Sequence, residues 1–143
     1  MPASNTQQPA AEAGRTASPT VMIDHFILPV SDFESSRRFY ERVLAPLGLR
    51  SLSQEGSTLG FGIDTWAFGI VATVPPFPRL HVAFRATSRD AVDQFFQVAT
   101  AAGAKSNGPP GIRPAYGPTY YAAFVIDPDG HNIEAVCRTG GNA

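Results

Sequence analysis

The stretch 120–136, YYAAFVIDPDGHNIEAV, decides the fold of this 143-residue chain. Its apolar, aromatic and β-branched ends are typical of strands, which we predict over 120–126 and 131–138. Between them, Asp127-Pro128-Asp129-Gly130 predicts a tight turn, because proline at the second position already has the φ angle that the turn requires. The sequence therefore predicts two neighbouring strands, with Glu134 in the second of them.

A pattern of one strand, one helix and three further strands occurs twice. When His25 is aligned with His81, an offset of 56 residues, an aromatic pair follows at the same distance in both segments. Both helical segments end at a glycine, Gly48 in the first and Gly103 in the second, one residue out of step. Two similar units in a row usually share one core, because neither can bury its apolar face alone.

Helix-capping residues predict the boundaries of the elements in the first unit. Ser31 and Glu34 predict a capping box at the start of a helix that Gly48 closes. Strands are expected on either side of this helix, over 21–30, 49–54, 57–63 and 66–74.

The second unit has the same order of elements. Thr87 or Ser88 is expected to cap its helix, which Gly103 ends. The stretch 107–118 contains four prolines and three glycines, so we predict an irregular loop that could act as a lid. Strands are expected before this loop at 80–86 and 104–107.

Composition excludes several classes of function. The formal net charge is −1, and no basic cluster suggests a nucleic-acid partner. No apolar run approaches the roughly 20 residues of a membrane span, and the single Cys137 excludes an intrachain disulfide and is expected to be a buried hydrophobic residue. We expect a disordered tail over 1–20, one domain over 21–138, a flexible end over 139–143, and a cytoplasmic location.

Three side chains stand out as candidate metal ligands: His25, His81 and Glu134. Two imidazoles and one carboxylate are a minimal protein set for an open divalent-metal site, which leaves positions free for substrate. Each lies in a predicted apolar strand, where an unpaired polar group costs several kcal/mol. Either metal coordination or hydrogen bonds among the three side chains would satisfy that requirement.

The chain strongly resembles the vicinal oxygen chelate superfamily, the group of glyoxalases, bleomycin-resistance proteins and extradiol dioxygenases. The resemblance covers 22–138 and is seen in MIDHFILPVSDFESSRRFYERVLAPLG (22–48), LHVAF (80–84) and the stretch 120–136. It implies an α+β fold of two βαβββ modules, about 21–75 and 79–138, that form a curved mixed sheet around a cup-shaped site. It also implies that one divalent ion (Zn, Mn, Fe, Ni or Mg) is bound by His25, His81 and Glu134.

One departure from the family separates its subgroups. Glyoxalase I-like members use a fourth ligand, a glutamate in the last strand of the first module. Here residues 65–80 contain no acidic residue, and Trp66 and Phe68 are expected to form an apolar wall of the substrate pocket instead. The three-ligand pattern is more similar to that of fosfomycin-resistance thiol transferases and extradiol dioxygenases, so we do not expect a four-ligand glyoxalase I.

The resemblance implies a divalent-metal-dependent lyase, isomerase or dioxygenase that acts on a small oxygenated substrate. Arg85 is a candidate clamp for a carboxylate or enediolate, or else an edge residue that reaches solvent. Tyr116 and Tyr121, with Tyr120 between them, are candidate proton donors or simple packing residues. Arg113, in the predicted lid, is a candidate substrate contact.

The competing hypothesis is a metal-free binding protein of bleomycin-resistance type that sequesters an aromatic small molecule. Under either hypothesis the partners are a small molecule and a second copy of the chain in a homodimer. The sequence leaves open whether the site forms within one chain or across that dimer. His131, in the turn, is expected to be structural or exposed rather than a ligand.

Overall fold

The computed structural model of the protein describes residues 22–140, so the predicted tail and the last three residues lie outside the described range. The first module contains β1 (Phe26–Val30), α1 (Phe33–Val43), a 3-10 helix (Ala45–Leu47), β2 (Arg50–Glu55), β3 (Thr58–Gly62) and β4 (Trp66–Ala72). The second contains β5 (His81–Arg85), α2 (Arg89–Ala101), β6 (Lys105–Ile112), a second 3-10 helix (Pro114–Tyr116), β7 (Tyr121–Ile126) and β8 (Asn132–Cys137). Neither α-helix in this range has the length and apolar character needed to cross a membrane.

The strands form two four-stranded sheets with the orders β1-β4-β3-β2 and β5-β8-β7-β6. In each sheet the first strand pairs with the last in parallel, and the other neighbours are antiparallel. The α+β prediction and the repeated βαβββ order are therefore confirmed. The parallel pair places the first and last strand of each module side by side, which brings His81 next to the strand that contains Glu134.

The helix starts show where local signals were sufficient. Ser88 caps α2 by accepting a hydrogen bond from the Ala91 N–H at 3.1 Å, as predicted. The capping box at Ser31 is wrong, because Asp32 caps α1 and accepts from the Ser35 N–H at 3.0 Å. The Ser31 N–H and hydroxyl instead donate to Asp129, far away in the sequence.

The prediction of an irregular loop over 107–118 is wrong in its first half. Strand β6 runs to Ile112 and pairs with β7, with register shifts on either side of Gly108. Pro109 and Pro110 lie in the gap between the paired positions Gly108 and Gly111. Because β6 is an edge strand, no strand pairs with its outer side, and prolines in this bulged stretch remove no hydrogen bonds to a neighbour there.

Each sheet has one face covered by a helix and one face that we call its open face. Leu28 and Val30 of β1 are fully buried with α1, and Ile133 of β8 is fully buried with α2. The two buried sets merge into one core, in which the Phe68 and Phe84 rings meet edge-to-face at 4.9 Å. On the open face of the second sheet, by contrast, the β5 residues His81, Ala83 and Arg85 are exposed.

The DPDG turn joins the two modules. The buried Asp127 accepts a hydrogen bond from the Tyr40 hydroxyl of α1 at 2.5 Å and from the His131 and Asp129 N–H groups at 2.8 and 2.9 Å. Burial raises the pKa of Asp127 above its ordinary value. Burial, followed by the Asp127 charge, raises the pKa of Tyr40 well above its ordinary value.

His131 completes this junction and is structural, one of the two roles predicted for it. The fully buried ring accepts a hydrogen bond at Nδ1 from the Leu80 N–H at 2.9 Å. Its Nε2 lies 2.8 Å from the Pro29 carbonyl, which can only accept, so Nε2 holds the proton. The ring therefore bridges the backbone of both modules and has no nitrogen left for a metal.

Candidate metal centre

Strand pairing brings His81 and Glu134 together on the open face of the second sheet. In the parallel β5–β8 register, His81 lies opposite Asn132 and Ala83 opposite Glu134. Side chains two residues apart on a strand share a face, so His81 and Glu134 are diagonal neighbours. The His81 Nε2 lies 3.0 Å from the Glu134 Oε2, with the imidazole half-exposed and the carboxylate buried.

The proton on the other ring nitrogen of His81, Nδ1, determines what can lie between Nε2 and the Glu134 carboxylate. The His81 Nδ1 lies 2.9 Å from the Asn132 carbonyl oxygen, which can only accept, so Nδ1 holds a proton. In a neutral imidazole Nε2 then presents a lone pair to the Glu134 carboxylate. Two acceptors at this distance need either a proton shared between Nε2 and Oε2 or a metal ion.

The pair fits a divalent metal. Two adjacent ligand atoms of an octahedral ion, each about 2.1 Å from it, lie about 3.0 Å apart, which matches the separation of Nε2 and Oε2. An N–H donated by the other ring nitrogen to a backbone carbonyl is also the usual outer-shell arrangement of a metal-binding histidine. His81 and Glu134 are thus suited to bind one ion from one side.

Of the three candidate tyrosines, Tyr120 is the one that contacts Glu134, whereas the sequence analysis put Tyr116 and Tyr121 first. The Tyr120 hydroxyl donates to the Glu134 Oε1, whereas the His81 Nε2 contacts Oε2. Burial and this hydrogen bond raise the pKa of Tyr120 to about 12, so the phenol stays protonated and remains a donor. The available signal was strand alternation, because Tyr120 lies two and four residues before Ala122 and Phe124, and Phe124 pairs with Glu134.

The other two candidate tyrosines, Tyr116 and Tyr121, lie elsewhere. Tyr121 points to the helix side of the sheet, where its hydroxyl donates to Asp93 of α2 at 2.6 Å. That hydrogen bond, with burial, raises the pKa of Tyr121 to about 12. Tyr116 is exposed in the second 3-10 helix, and its ring meets the edge of Tyr120 at 5.3 Å. Tyr116 is therefore near the site but not in contact with Glu134, whereas Tyr121 is on the opposite face.

The Phe124 ring contacts both His81, one of the two candidate metal ligands, and Arg113. The His81 ring stacks on Phe124 with centroids 6.1 Å apart, and the Arg113 guanidinium lies 5.4 Å from the same ring. Arg85 is exposed on the His81 side of β5 and pairs in register with Val136. Both candidate arginines therefore lie on the open face that contains His81 and Glu134.

His25 lies on the open face of the first sheet. Its Nδ1 is 2.6 Å from the Asp24 carboxylate, and its ring is 4.8 Å from the Trp66 ring. Within residues 22–140, no third His, Cys, Asp or Glu joins His81 and Glu134 in a metal-binding cluster. One copy of the chain, over this range, therefore brings together two of the three predicted ligands.

Trp66 and Phe68 lie on opposite faces of the first sheet. The β3–β4 register shifts between Phe61 and Gly62, and this bulge reverses the alternation along β4. Trp66 lies over Gly60, where an added Cβ would be 2.7 Å from the indole Cγ. Phe68 is buried in the core and lines a pocket of about 440 Å³ that His81 also borders. The two side chains therefore do not form one continuous wall.

Comparison with known proteins places this chain in a family. The sequence model of the Glyoxalase/Bleomycin resistance protein/Dioxygenase superfamily matches residues 22–135, and the chain belongs to this superfamily. "Uncharacterized protein YqjT" of Bacillus subtilis (strain 168) is 34% identical over 122 residues, which cover 78% of this chain and 95% of that protein.

Solved structures agree with this assignment. A glyoxalase/bleomycin resistance protein from Albidiferax ferrireducens T118 is 30% identical, with a TM-score of 0.71 over 82% of this chain and 99% of that one. A mutant of the fosfomycin resistance protein FosX from Listeria monocytogenes, complexed with Mn(II) and a phosphonic acid, is 21% identical. Its TM-score is 0.62 over 81% of this chain and 89% of that one, and this likeness concerns the fold alone.

Tyr120→Phe is expected to weaken divalent-metal binding by about 10- to 100-fold, because it removes an outer-shell hydrogen bond that orients a ligand. The measurement is a competition titration with Mn(II) or Zn(II). The matched control is Tyr121→Phe, whose hydroxyl lies on the other face of the sheet and should leave the metal Kd unchanged. Equal metal affinity in the Tyr120→Phe and wild-type proteins would show that Tyr120 does not position Glu134.

Proposed function

We propose that the protein is a divalent-metal-dependent enzyme that acts on a small oxygenated substrate at the open face of the second sheet. His81 and Glu134 are the proposed ligands of the ion. The observation that carries this proposal is the acceptor-to-acceptor contact of 3.0 Å between Nε2 and Oε2, with the Nδ1 proton committed to the Asn132 carbonyl. The Mn(II) complex of FosX supports it at the level of a shared fold.

Each neighbouring residue has a separate task in this proposal. When bound, the ion would act as a Lewis acid that polarises two vicinal oxygens of the substrate. Tyr120 keeps the Glu134 carboxylate in place and retains its own proton. Phe124 covers one side of His81 and limits access of water to that side. The reaction type is tested by assaying metal-loaded protein for oxygen uptake and for isomerase and lyase activity.

We further propose that His25 of a second copy completes the ligand set. The side chain of His25 is 49% exposed, and β1 and β5 are both edge strands with unpaired backbone groups. The segment around His25 also exposes apolar side chains, with Ile23 at 71% and Ile27 at 39%. Exposed apolar side chains beside an unpaired strand edge favour pairing with another chain.

Mixing two inactive variants tests the shared site. His25→Ala removes the ligand of one module, and Glu134→Ala removes a ligand of the other. If each site combines the two modules of different copies, a 1:1 mixture refolded together should recover about a quarter of wild-type metal sites, because half of the dimers are mixed and each has one intact site. Each variant refolded alone is the control. A mixture that binds no more metal than the separate variants would overturn the proposal that His25 of a second copy completes the ligand set.

The second candidate function is metal-free binding of an aromatic small molecule. It is favoured by the 440 Å³ pocket, whose apolar lining includes four phenylalanines: Phe26, Phe61, Phe68 and Phe84. A proton on His81 Nε2 would then make the contact with Glu134 an ordinary ion pair. Elemental analysis after reconstitution separates the two candidates, since only the enzyme proposal requires about one ion per site. Protein that stays free of metal yet binds aromatic ligands would support the second.

A further inference from the structure

Arg113 is held in a cradle made by the backbone of β6. Its Nη1–H donates to the Gly111 carbonyl at 2.9 Å and its Nη2–H to the Pro109 carbonyl at 2.6 Å. A Cβ added at Gly108 would lie 3.1 Å from Nη2, and one added at Gly111 would lie 3.2 Å from Nη1. The two glycines therefore leave space for the guanidinium between β6 and the Phe124 ring, whose centroid lies 5.4 Å away.

The charge of this guanidinium is not neutralised. Among residues 22–140, Arg113 makes no salt bridge, and its two hydrogen bonds go to neutral carbonyls. A guanidinium has five N–H groups, so donors remain for another partner. The buried carboxylate of this open face, Glu134, is already engaged by His81 and Tyr120. Glu134 is therefore not free to pair with Arg113, and an anion that pairs with this guanidinium would be a bound ligand.

Arg113 lies close to the candidate ligand His81 and shares this open face with two other arginines. The same Phe124 ring contacts both Arg113 and His81, so the guanidinium and the candidate ligand are neighbours of one side chain. Arg138 lies 4.9 Å from the Tyr120 ring, and Arg85 is exposed on the His81 side of β5. Three arginines thus lie on the face whose buried carboxylate, Glu134, is already paired with His81.

We propose that the substrate of this site bears a carboxylate group and that Arg113 is the residue that selects it, with Arg85 and Arg138 adding attraction at the rim. A rigid, planar guanidinium binds a carboxylate through two parallel hydrogen bonds, which a mobile lysine does not reproduce. This inference deepens the proposed function by naming the substrate class. It concerns binding, and it is testable without turnover and without metal.

Two matched pairs of small molecules test the preference: 2-hydroxybenzoate against 2-hydroxybenzamide, and lactate against lactamide. Because a carboxylate also binds a metal ion better than an amide does, dissociation constants are first measured by NMR titration on metal-free protein. We expect at least one acid to bind about tenfold more tightly than its amide, and Arg113→Gln to remove that preference while the amide Kd changes less than about twofold. Arg113→Lys, which keeps the charge but not the planar fork, should recover only part of it.

Arg42→Gln, which changes an exposed arginine of α1, is the matched control and should leave both constants unchanged. The inference is overturned if neither acid is preferred, or if Arg113→Gln weakens acid and amide equally. Should Arg113→Gln fail to fold, the wild-type preference and the Arg113→Lys variant still decide. Metal titration of the same samples keeps the two proposals apart, since acid preference without metal binding overturns only the enzyme, and the reverse overturns only the role of Arg113.

Discussion

Glu134→Gln is expected to weaken Mn(II) or Zn(II) binding by more than about 100-fold. The substitution preserves the size of a buried side chain and an oxygen for the Tyr120 hydroxyl, but it removes the negative charge beside His81. Loss of a ligand should exceed the 10- to 100-fold effect usual for an outer-shell change. The measurement is a competition titration with a metal-sensitive dye, supported by elemental analysis of the reconstituted protein.

Two further measurements make this result specific. Asp90→Asn removes a carboxylate from the exposed first turn of α2 and should not alter metal affinity. Metal should also raise the melting temperature of the wild-type protein but not that of Glu134→Gln, because an ion that binds only the folded state stabilises it. Unchanged stoichiometry and affinity in Glu134→Gln would rule out Glu134 as a ligand.

Asp127→Ala should lower the free energy of unfolding by about 3–5 kcal/mol, since it leaves the buried Tyr40 hydroxyl and two backbone N–H groups without their acceptor. Tyr40→Phe removes one of these three hydrogen bonds and should cost about 1–3 kcal/mol. Urea denaturation measures both. The control is Tyr121→Phe, whose partner Asp93 is only partly buried. A loss below about 1 kcal/mol for Asp127→Ala would show that the turn does not hold the modules together.

The same carboxylate gives a pH dependence with a defined sign. Burial raises the pKa of Asp127 in the folded state above the unfolded value of 3.8. The folded protein therefore binds this proton more readily than the unfolded chain, and the contribution is fully present below pH 3.8 and lost as the pH rises through the raised pKa. The Tyr40 hydrogen bond opposes this shift, so Tyr40→Phe should extend the decline to higher pH.

Much of the fold could be predicted because its signals are local. The alternation of apolar residues, the Ser88 cap and the DPDG turn each depend on a few consecutive residues. The repeat also predicted His25 and His81 in corresponding strands, and the structure has His25 just before β1 and His81 as the first residue of β5. Of the two roles predicted for His131, structural or exposed, its two backbone hydrogen bonds confirm the structural one.

The predictions from sequence were wrong where a residue or strand far away in the sequence changes the role that a local pattern indicates. Ser31 has the sequence of an N-cap, but Asp129, 98 residues away, takes its hydroxyl and leaves Asp32 to cap α1. Prolines 109 and 110 predicted a loop, yet an edge position and a bulge allow them within β6. These outcomes depend on which strand lies alongside, and no local pattern contains that information.

For the candidate site, the amino-acid sequence by itself determined which residues can do chemistry: a histidine on β5, a glutamate on β8, and tyrosines before and at the start of β7. Only the tertiary structure decided that Tyr120 rather than Tyr121 reaches Glu134, and that Trp66 and Phe68 face opposite ways. The physical reason is the two-residue period of a strand, in which a shift of one residue, such as the bulge in β4, moves a side chain to the other face. Residue type sets the chemistry that a side chain can do, and strand register decides which of these side chains meet.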